Sequence, residues 1–263
     1  MEGRKTALVT GASSGIGLDL ARRFAAEGYD VALVARSEGK LKEVAAAIEA
    51  EHKVRAHVVT ADLAKPDAAA ALVGALEARG IDVDVLVNNA GYALYGAFAE
   101  IDLADELAMI QVNVVALTHL TKLLVRKMVA KKSGRVLNVA STAAFQPGPL
   151  MAVYYATKAY VLSFSEALAN ELGGTGVTVT ALCPGPTKTG FQARAAMEES
   201  KLVRGKTIMT SETVAKAAYA GLMKGKTVVI PGFSNKMLAT TVRFLPRNTV
   251  TRLVRNAQER APH

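Results

Sequence analysis

Seven short apolar runs punctuate the chain, at Ala7 to Thr10, Asp30 to Ala35, Val54 to Thr60, Val83 to Asn88, Gly134 to Ala140, Gly176 to Cys183 and Thr227 to Ile230. Each has the length of a strand, and most are apolar at successive positions, the pattern of strands covered on both faces. Between them lie longer stretches whose apolar residues recur every three or four positions, among them Leu18 to Gly28, Leu103 to Ala130 and Val153 to Leu172. That spacing predicts amphipathic helices. Strand and helix in alternation predict an α/β fold with a seven-stranded parallel sheet, helices on both faces and right-handed crossovers. Ligands of such sheets bind beyond the carboxyl ends of the strands. The candidate functional residues are therefore those that follow each run.

The first run passes into Thr10-Gly11-Ala12-Ser13-Ser14-Gly15-Ile16-Gly17, and a helical pattern begins directly afterwards. Strand, glycine turn and helix together predict a doubly wound, Rossmann-type dinucleotide site. The turn needs residues without Cβ, and the N–H groups at the start of the helix suit a pyrophosphate. The spacing is T-G-x-x-x-G-x-G rather than G-x-G-x-x-G, so an ordinary glycine-rich loop is the plain alternative. On the dinucleotide reading, Gly11, Ser13, Ser14, Gly15, Ile16 and Gly17 contact the cofactor. The second run ends Val34-Ala35-Arg36, with no carboxylate at the point where one would hold a ribose 2′-hydroxyl. Arg36, with Lys40 one helical turn on, would accept a 2′-phosphate instead, so NADP(H) is expected in preference to NAD(H). Asp62-Leu63 follows the third run. Asp62 either meets the adenine amine or caps its own turn. Asn89-Ala90-Gly91 closes the fourth run with small residues that admit a cofactor and amides that tie strands together.

Ser141 ends the fifth run, and Tyr154 and Lys158 follow on a helix at i and i+4, so both leave one face. A tyrosine with pKa about 10 is a poor acid–base group at neutral pH. A neighbouring ammonium favours the phenolate and would make Tyr154 a usable proton donor or acceptor, with Ser141 on the same substrate oxygen. Tyr155 lies about 100° further round the helix and is less suited to that task. Asn113 sits inside the long helical stretch, either as part of a proton relay to Lys158 or as a satisfied buried amide that locally bends the helix.

At 263 residues one large domain, here residues 1–231, accounts for the motifs, with 232–263 left as a basic extension. Net charge is +9, yet residues 201–263 hold 12 Lys and Arg against 2 acidic residues while the rest is close to balanced. A local basic surface fits that distribution better than a nucleic-acid partner. Cys183, alone, excludes an internal disulfide, and the four histidines have no ligand spacing, so no metal is expected. The uncharged run from Val136 to Thr157 is broken by Gln146-Pro147-Gly148-Pro149, and the first residues carry no apolar leader. A cytoplasmic protein is expected.

With these motifs assembled, the chain resembles the single-domain short-chain dehydrogenases/reductases over roughly residues 5–230. The resemblance implies a catalytic tetrad on Asn113, Ser141, Tyr154 and Lys158, with Tyr154 as general acid and Lys158 on the nicotinamide ribose. It also implies that the segment after Pro184-Gly185 holds the carboxamide, through Thr187 and Thr189. Thr187 stands where Ile or Val is more usual, and because backbone makes that contact little is put in doubt. The implied reaction is reversible hydride transfer between NADPH and a ketone or aldehyde. A non-catalytic NADP-binding sensor is the alternative, which the intact tetrad disfavours. Phe191 to Lys206 is expected to form a lid, and Phe145, Leu150, Met151, Phe191 and Met197 to line an apolar substrate pocket. The resemblance further implies a homodimer or homotetramer through Leu103 to Ala130 and Val153 to Leu172. In the tail, Met237, Leu238, Thr241, Val242 and Leu245, then Val250, Leu253, Val254 and Ala257, recur at helical spacing beside several arginines. Two short helices could lie on anionic lipid, or dock on the protein's own surface or across a subunit interface. Packing on the core, beside the substrate cleft, is the expectation.

Overall fold

The apolar runs become strands because all but the two at the sheet edges can bury both faces. In this computed structural model, which describes residues 4–190 and 208–259, the strands are β1 (Thr6–Thr10), β2 (Asp30–Ala35), β3 (Ala56–Thr60), β4 (Val85–Asn88), β5 (Gly134–Val139), β6 (Val177–Leu182), β7 (Thr187–Lys188), β8 (Met209–Thr210) and β9 (Val228–Val229). Seven of them form one sheet in the order β3-β2-β1-β4-β5-β6-β9, and every pair is parallel. The order reverses between β1 and β4, which places the glycine turn and Asn89-Ala90-Gly91 side by side at the topological switch point. β7 and β8 pair separately. At two residues each they carry no periodic signal, and the sequence pattern did not predict them.

Helices α1 (Gly15–Ala26), α2 (Glu38–His52), α3 (Ala68–Ala78), α4 (Leu103–Ile110), α5 (Leu117–Ala130), α6 (Ala152–Glu171) and α7 (Ser211–Met223) cover the two faces. Leu20, Phe24, Leu41, Ile48 and Leu222 fill one side of the sheet, and Leu72, Leu76, Leu120, Leu124 and Met128 the other. Such side chains stabilise the fold by about 1.5–3 kcal/mol apiece when fully buried. The stretch expected as one helix from Leu103 to Ala130 is interrupted by a π-helical turn, Gln111–Ala116, that contains Asn113. By length and composition this stretch could cross a membrane, but half of it is buried inside the protein, where Leu117, Leu120, Leu124 and Met128 meet the core.

Beyond β9 the chain forms α8 (Phe233–Thr241), a 3-10 turn (Val242–Phe244) and α9 (Arg247–Gln258). Here the expectation of inward packing holds for one helix only. Val250 and Gln258 of α9 are buried, whereas Met237 and Leu238 of α8 are exposed and Ala239 alone is buried in that helix. The reason is local: α8 meets the body of the protein through its small and polar side, where Ala239 is buried and Asn235 lies so close to Gly185 that a Cβ there would come within 2.4 Å of its Oδ1.

Candidate active site

Gly11 and Gly15 adopt φ of +65° and +57°, the left-handed region that only glycine enters freely. They turn the chain from β1 into α1, whose first residue is Gly15. Gly17 serves closeness of approach: a Cβ there would lie 2.3 Å from the Gly11 oxygen and 2.4 Å from Asn89 Nδ2. Asn89 pins the turn by donating from Nδ2 to the Thr10 and Gly11 carbonyls at 3.0 and 3.3 Å, and Thr10 Oγ1 accepts from the Asn89 and Ala90 N–H groups at 3.0 Å each. The end of β1, the turn and the end of β4 are thus one hydrogen-bonded unit.

This unit forms one wall of a cavity of about 850 Å³. Arg36 and Lys40 stand at its β2 end. Glu38, between them in sequence, pairs with Lys42 at 2.7 Å and is not among the lining residues. Asp62 and Leu63 line the cavity as well, and Asp62 Oδ1 also accepts from the Ala64 N–H at 3.2 Å, so it caps its own turn. From the far side, Pro184, Gly185, Thr187 and Thr189 reach across. A Cβ added to Gly15 would meet the Thr189 methyl at 3.1 Å, so the segment after β6 closes on the glycine turn. A cavity lined by the N-terminus of a helix and by the two cations Arg36 and Lys40 fits a dinucleotide.

At the other end the cavity takes in Ser141, Tyr154 and Lys158. Ser141 caps a 3-10 turn, its Oγ accepting from the Ala143 N–H at 3.1 Å, and it is hydrogen-bonded to the Tyr154 hydroxyl. Lys158 Nζ donates to the Val139 carbonyl at 2.8 Å and lies 5.8 Å from the centre of the Tyr154 ring. Burial pushes the Tyr154 phenol above its usual range, against the opposing effect of the Ser141 hydrogen bond. Burial likewise pulls the Lys158 ammonium down to about 8. The expectation that Lys158 lowers the Tyr154 pKa is therefore corrected. Desolvation dominates, only the hydrogen bond with Ser141 opposes it, and the shift favours the protonated phenol, the form a proton donor needs.

A sequence model of the short chain dehydrogenase family matches residues 5–200. The chain belongs to that family. It is 34% identical over 227 residues to the ketoacyl reductase HetN of Nostoc sp., covering 86% of this chain and 78% of that protein. Among solved structures, a short-chain dehydrogenase from Sphingobium yanoikuyae in complex with NADPH superposes with a TM-score of 0.82 at 33% identity, covering 97% of this chain and 98% of that one. A 7beta-hydroxysteroid dehydrogenase gives a TM-score of 0.84 at 30% identity, with 95% and 96% covered.

Within this short-chain dehydrogenase, the structure gathers most of the candidate residues around the cavity and sets others apart. Gly17 and Asn113 stand behind the lining. Asn113 Nδ2 donates to the Tyr92 carbonyl at 3.0 Å and to Thr157 Oγ1 at 3.1 Å, and its Oδ1 accepts from the Tyr92 N–H at 3.2 Å. These partners satisfy the amide. A Cβ on Gly91 would meet Asn113 Oδ1 at 2.9 Å and Lys158 Nζ at 3.6 Å, so Gly91 lies between the two side chains. Met151 lines the cavity, but among the described residues Phe145 and Leu150 do not. Phe145 instead packs against the cluster of Leu117, Val161 and Leu162, and Leu150, at φ +68°, presents its carbonyl to the Gly96 N–H at 2.9 Å. Phe191 and Met197, with the whole expected lid, lie outside the described residues.

The tail residue that reaches the cavity wall is Gln258, which sequence reasoning did not single out. Gln258 is fully buried, its Nε2 donates to the Tyr155 hydroxyl, and its carbonyl accepts from Tyr95 at 2.8 Å. Tyr155 lines the cavity and meets Tyr154 edge to face at 6.1 Å. The signal was present, because Val250, Val254 and Gln258 are spaced at four residues and so form one stripe of α9.

Proposed function

We infer that this dehydrogenase is an NADP(H)-dependent reductase of apolar or acyl-bearing ketones and aldehydes, working reversibly with the corresponding alcohols. The observation that carries the reading is the Tyr154 hydroxyl, hydrogen-bonded to Ser141 and in the same cavity as Lys158 and the glycine turn. A reduced nicotinamide dinucleotide, when bound, supplies the hydride. The glycine turn with Ser13, Ser14 and Ile16 would hold its pyrophosphate, and Pro184, Gly185, Thr187 and Thr189 its nicotinamide end. Ser141 orients the carbonyl oxygen, and Tyr154 gives that oxygen its proton. The Lys158 cation favours the phenolate left behind, and buried in low dielectric it does so more strongly than in water.

Preference for the phosphorylated cofactor is supported by Arg36 and Lys40 at the cavity end and by the engagement of Glu38 with Lys42. The apolar substrate class is supported by Ala143, Met151 and Tyr155 around the Tyr154 end and by the ketoacyl and hydroxysteroid names of similar proteins. A cytoplasmic homodimer or homotetramer is our reading of the assembly. Leu103, Leu107, Val115 and Tyr160 are exposed on the two helices expected to pair. The test is a panel of acyl, steroid and small ketones assayed by loss of NADPH absorbance. Oxidation of NADPH with at least one bulky ketone is expected, and binding of NADPH without turnover on any carbonyl compound would defeat the reading.

A further inference from the structure

The tail holds six of the eleven exposed large apolar side chains among the described residues. Phe233 is 80% and Phe244 81% exposed, the two highest values among the large apolar side chains of the described residues, and Met237, Leu238, Leu245 and Leu253 are exposed with them. On α8, Phe233 and Met237 are one turn apart and leave the helix opposite Ala239 and Asn235, which face the body of the protein, Ala239 buried and Asn235 against Gly185. The apolar side of α8 is thus turned outward by the way its other side is attached. Soluble surfaces rarely gather so many large apolar groups in one short segment without a partner.

Charge decides the occupant. From Pro231 to Gln258 there is no Asp or Glu, while Lys236, Arg243, Arg247, Arg252 and Arg255 all occur, and Lys236, Arg243 and Arg247 are exposed. A second copy of this chain, docked about a two-fold axis, would set the same cations against one another with no acid from either segment to offset them. An anionic bilayer takes both features at once, apolar side chains at the acyl boundary and cations among the headgroups. We propose that α8, the turn Val242–Phe244 and the start of α9 seat this protein on an anionic lipid surface, with Phe233, Met237 and Phe244 inserted and Lys236, Arg243 and Arg247 at the phosphates.

The helix that carries the docked face turns its opposite side to the active site. A Cβ on Gly185, a cavity residue, would meet Asn235 Oδ1 at 2.4 Å, and Gln258 at the far end of α9 holds Tyr155. On the reductase reading, docking places the cavity beside the phase in which an apolar ketone dissolves. The docking itself does not depend on that reading, and its test needs no substrate.

The full chain is sedimented with vesicles of phosphatidylcholine alone and of phosphatidylcholine with phosphatidylglycerol, at low and physiological salt, and NADPH binding is measured on the same samples. Binding to the anionic vesicles only is expected, weakened by salt. Phe233→Ser with Phe244→Ser, and separately Arg243→Glu with Arg247→Glu, should each lower the vesicle partition at least about tenfold, since one cation near such a surface contributes roughly fivefold. Both variants alter exposed positions and should keep the NADPH affinity. No sedimentation with anionic vesicles at low salt would overturn the proposal, as would sedimentation indifferent to the phenylalanine pair. A particle mass that halves in the phenylalanine variant would assign the face to a second copy instead, and would equally overturn it.

Discussion

Replacing Lys158 by Met should make the protein more stable and inactive. Lys158 is only 6% exposed and its ammonium has been pulled from the usual 10.5 to about 8 by burial. At about 1.36 kcal/mol per pKa unit, holding that charge inside the fold costs on the order of 3 kcal/mol at pH 7. Met has a similar volume and no charge, but it leaves the Val139 carbonyl without the donor now 2.8 Å away, a loss of about 1–1.5 kcal/mol. The balance favours the variant by roughly 1–2 kcal/mol, or about 2–8 °C in Tm for a chain of this size. The sign with pH follows from the direction of the shift. The folded pKa lies below the unfolded one, so the cost is complete below about pH 8, fades as pH rises from there to 10.5, and is gone above it. Thermal and urea unfolding of both proteins at pH 7, 9 and 10.5 should show the advantage of the variant shrinking and then reversing, while NADPH-dependent reduction is lost at every pH. A Lys158→Met protein less stable than the parent at pH 7, or a difference that does not change with pH, would refute the argument. The charge is then kept for chemistry against its cost to the fold.

Arg36→Asp should replace attraction of a 2′-phosphate by repulsion and lower the NADPH to NADH ratio of kcat/KM at least about tenfold; an unchanged ratio would move the phosphate site elsewhere. Gly17→Ala forces a Cβ to within 2.3 Å of the Gly11 oxygen, and should weaken NADPH binding and lower stability by about 1–3 kcal/mol. Gly39→Ala, in α2 with no atom within 4 Å of the added Cβ, is the matched control and should leave stability equal or raised. Light scattering at micromolar concentration should give the mass of a dimer or tetramer, and a monomer mass would count against pairing through Leu103–Ala130 and α6.

Much of this architecture was legible because a parallel sheet writes itself into the chain as runs apolar on both faces, and the glycine turn, Asn89-Ala90-Gly91 and Ser141 follow directly from the ends of β1, β4 and β5. The pairing of Tyr154 with Lys158 needed only the helical repeat. What escaped depends on contacts distant in sequence. Val54 and Val83 read as strand residues, yet β3 and β4 begin at Ala56 and Val85, since only the ladder partner decides where pairing starts. Phe145 and Leu150 flank the active-site loop, and nothing local says which side of a 3-10 turn reaches the cavity. In the tail, helical spacing marks a face without saying what covers it, so Val250 and Val254 turned inward while Met237 and Leu238 turned out. The effect of Lys158 on Tyr154 was misjudged for the same reason, because desolvation is a property of the packed structure.

The central claim is that Tyr154 donates the proton in a carbonyl reduction. The most direct measurement compares NADPH oxidation by the parent and by Tyr154→Phe on one reducible bulky ketone, with NADPH affinity determined by fluorescence in both. Loss of turnover by at least about a hundredfold with affinity little changed is the predicted result, since the ring is kept and only the hydroxyl goes. Turnover by Tyr154→Phe within a few fold of the parent would contradict it.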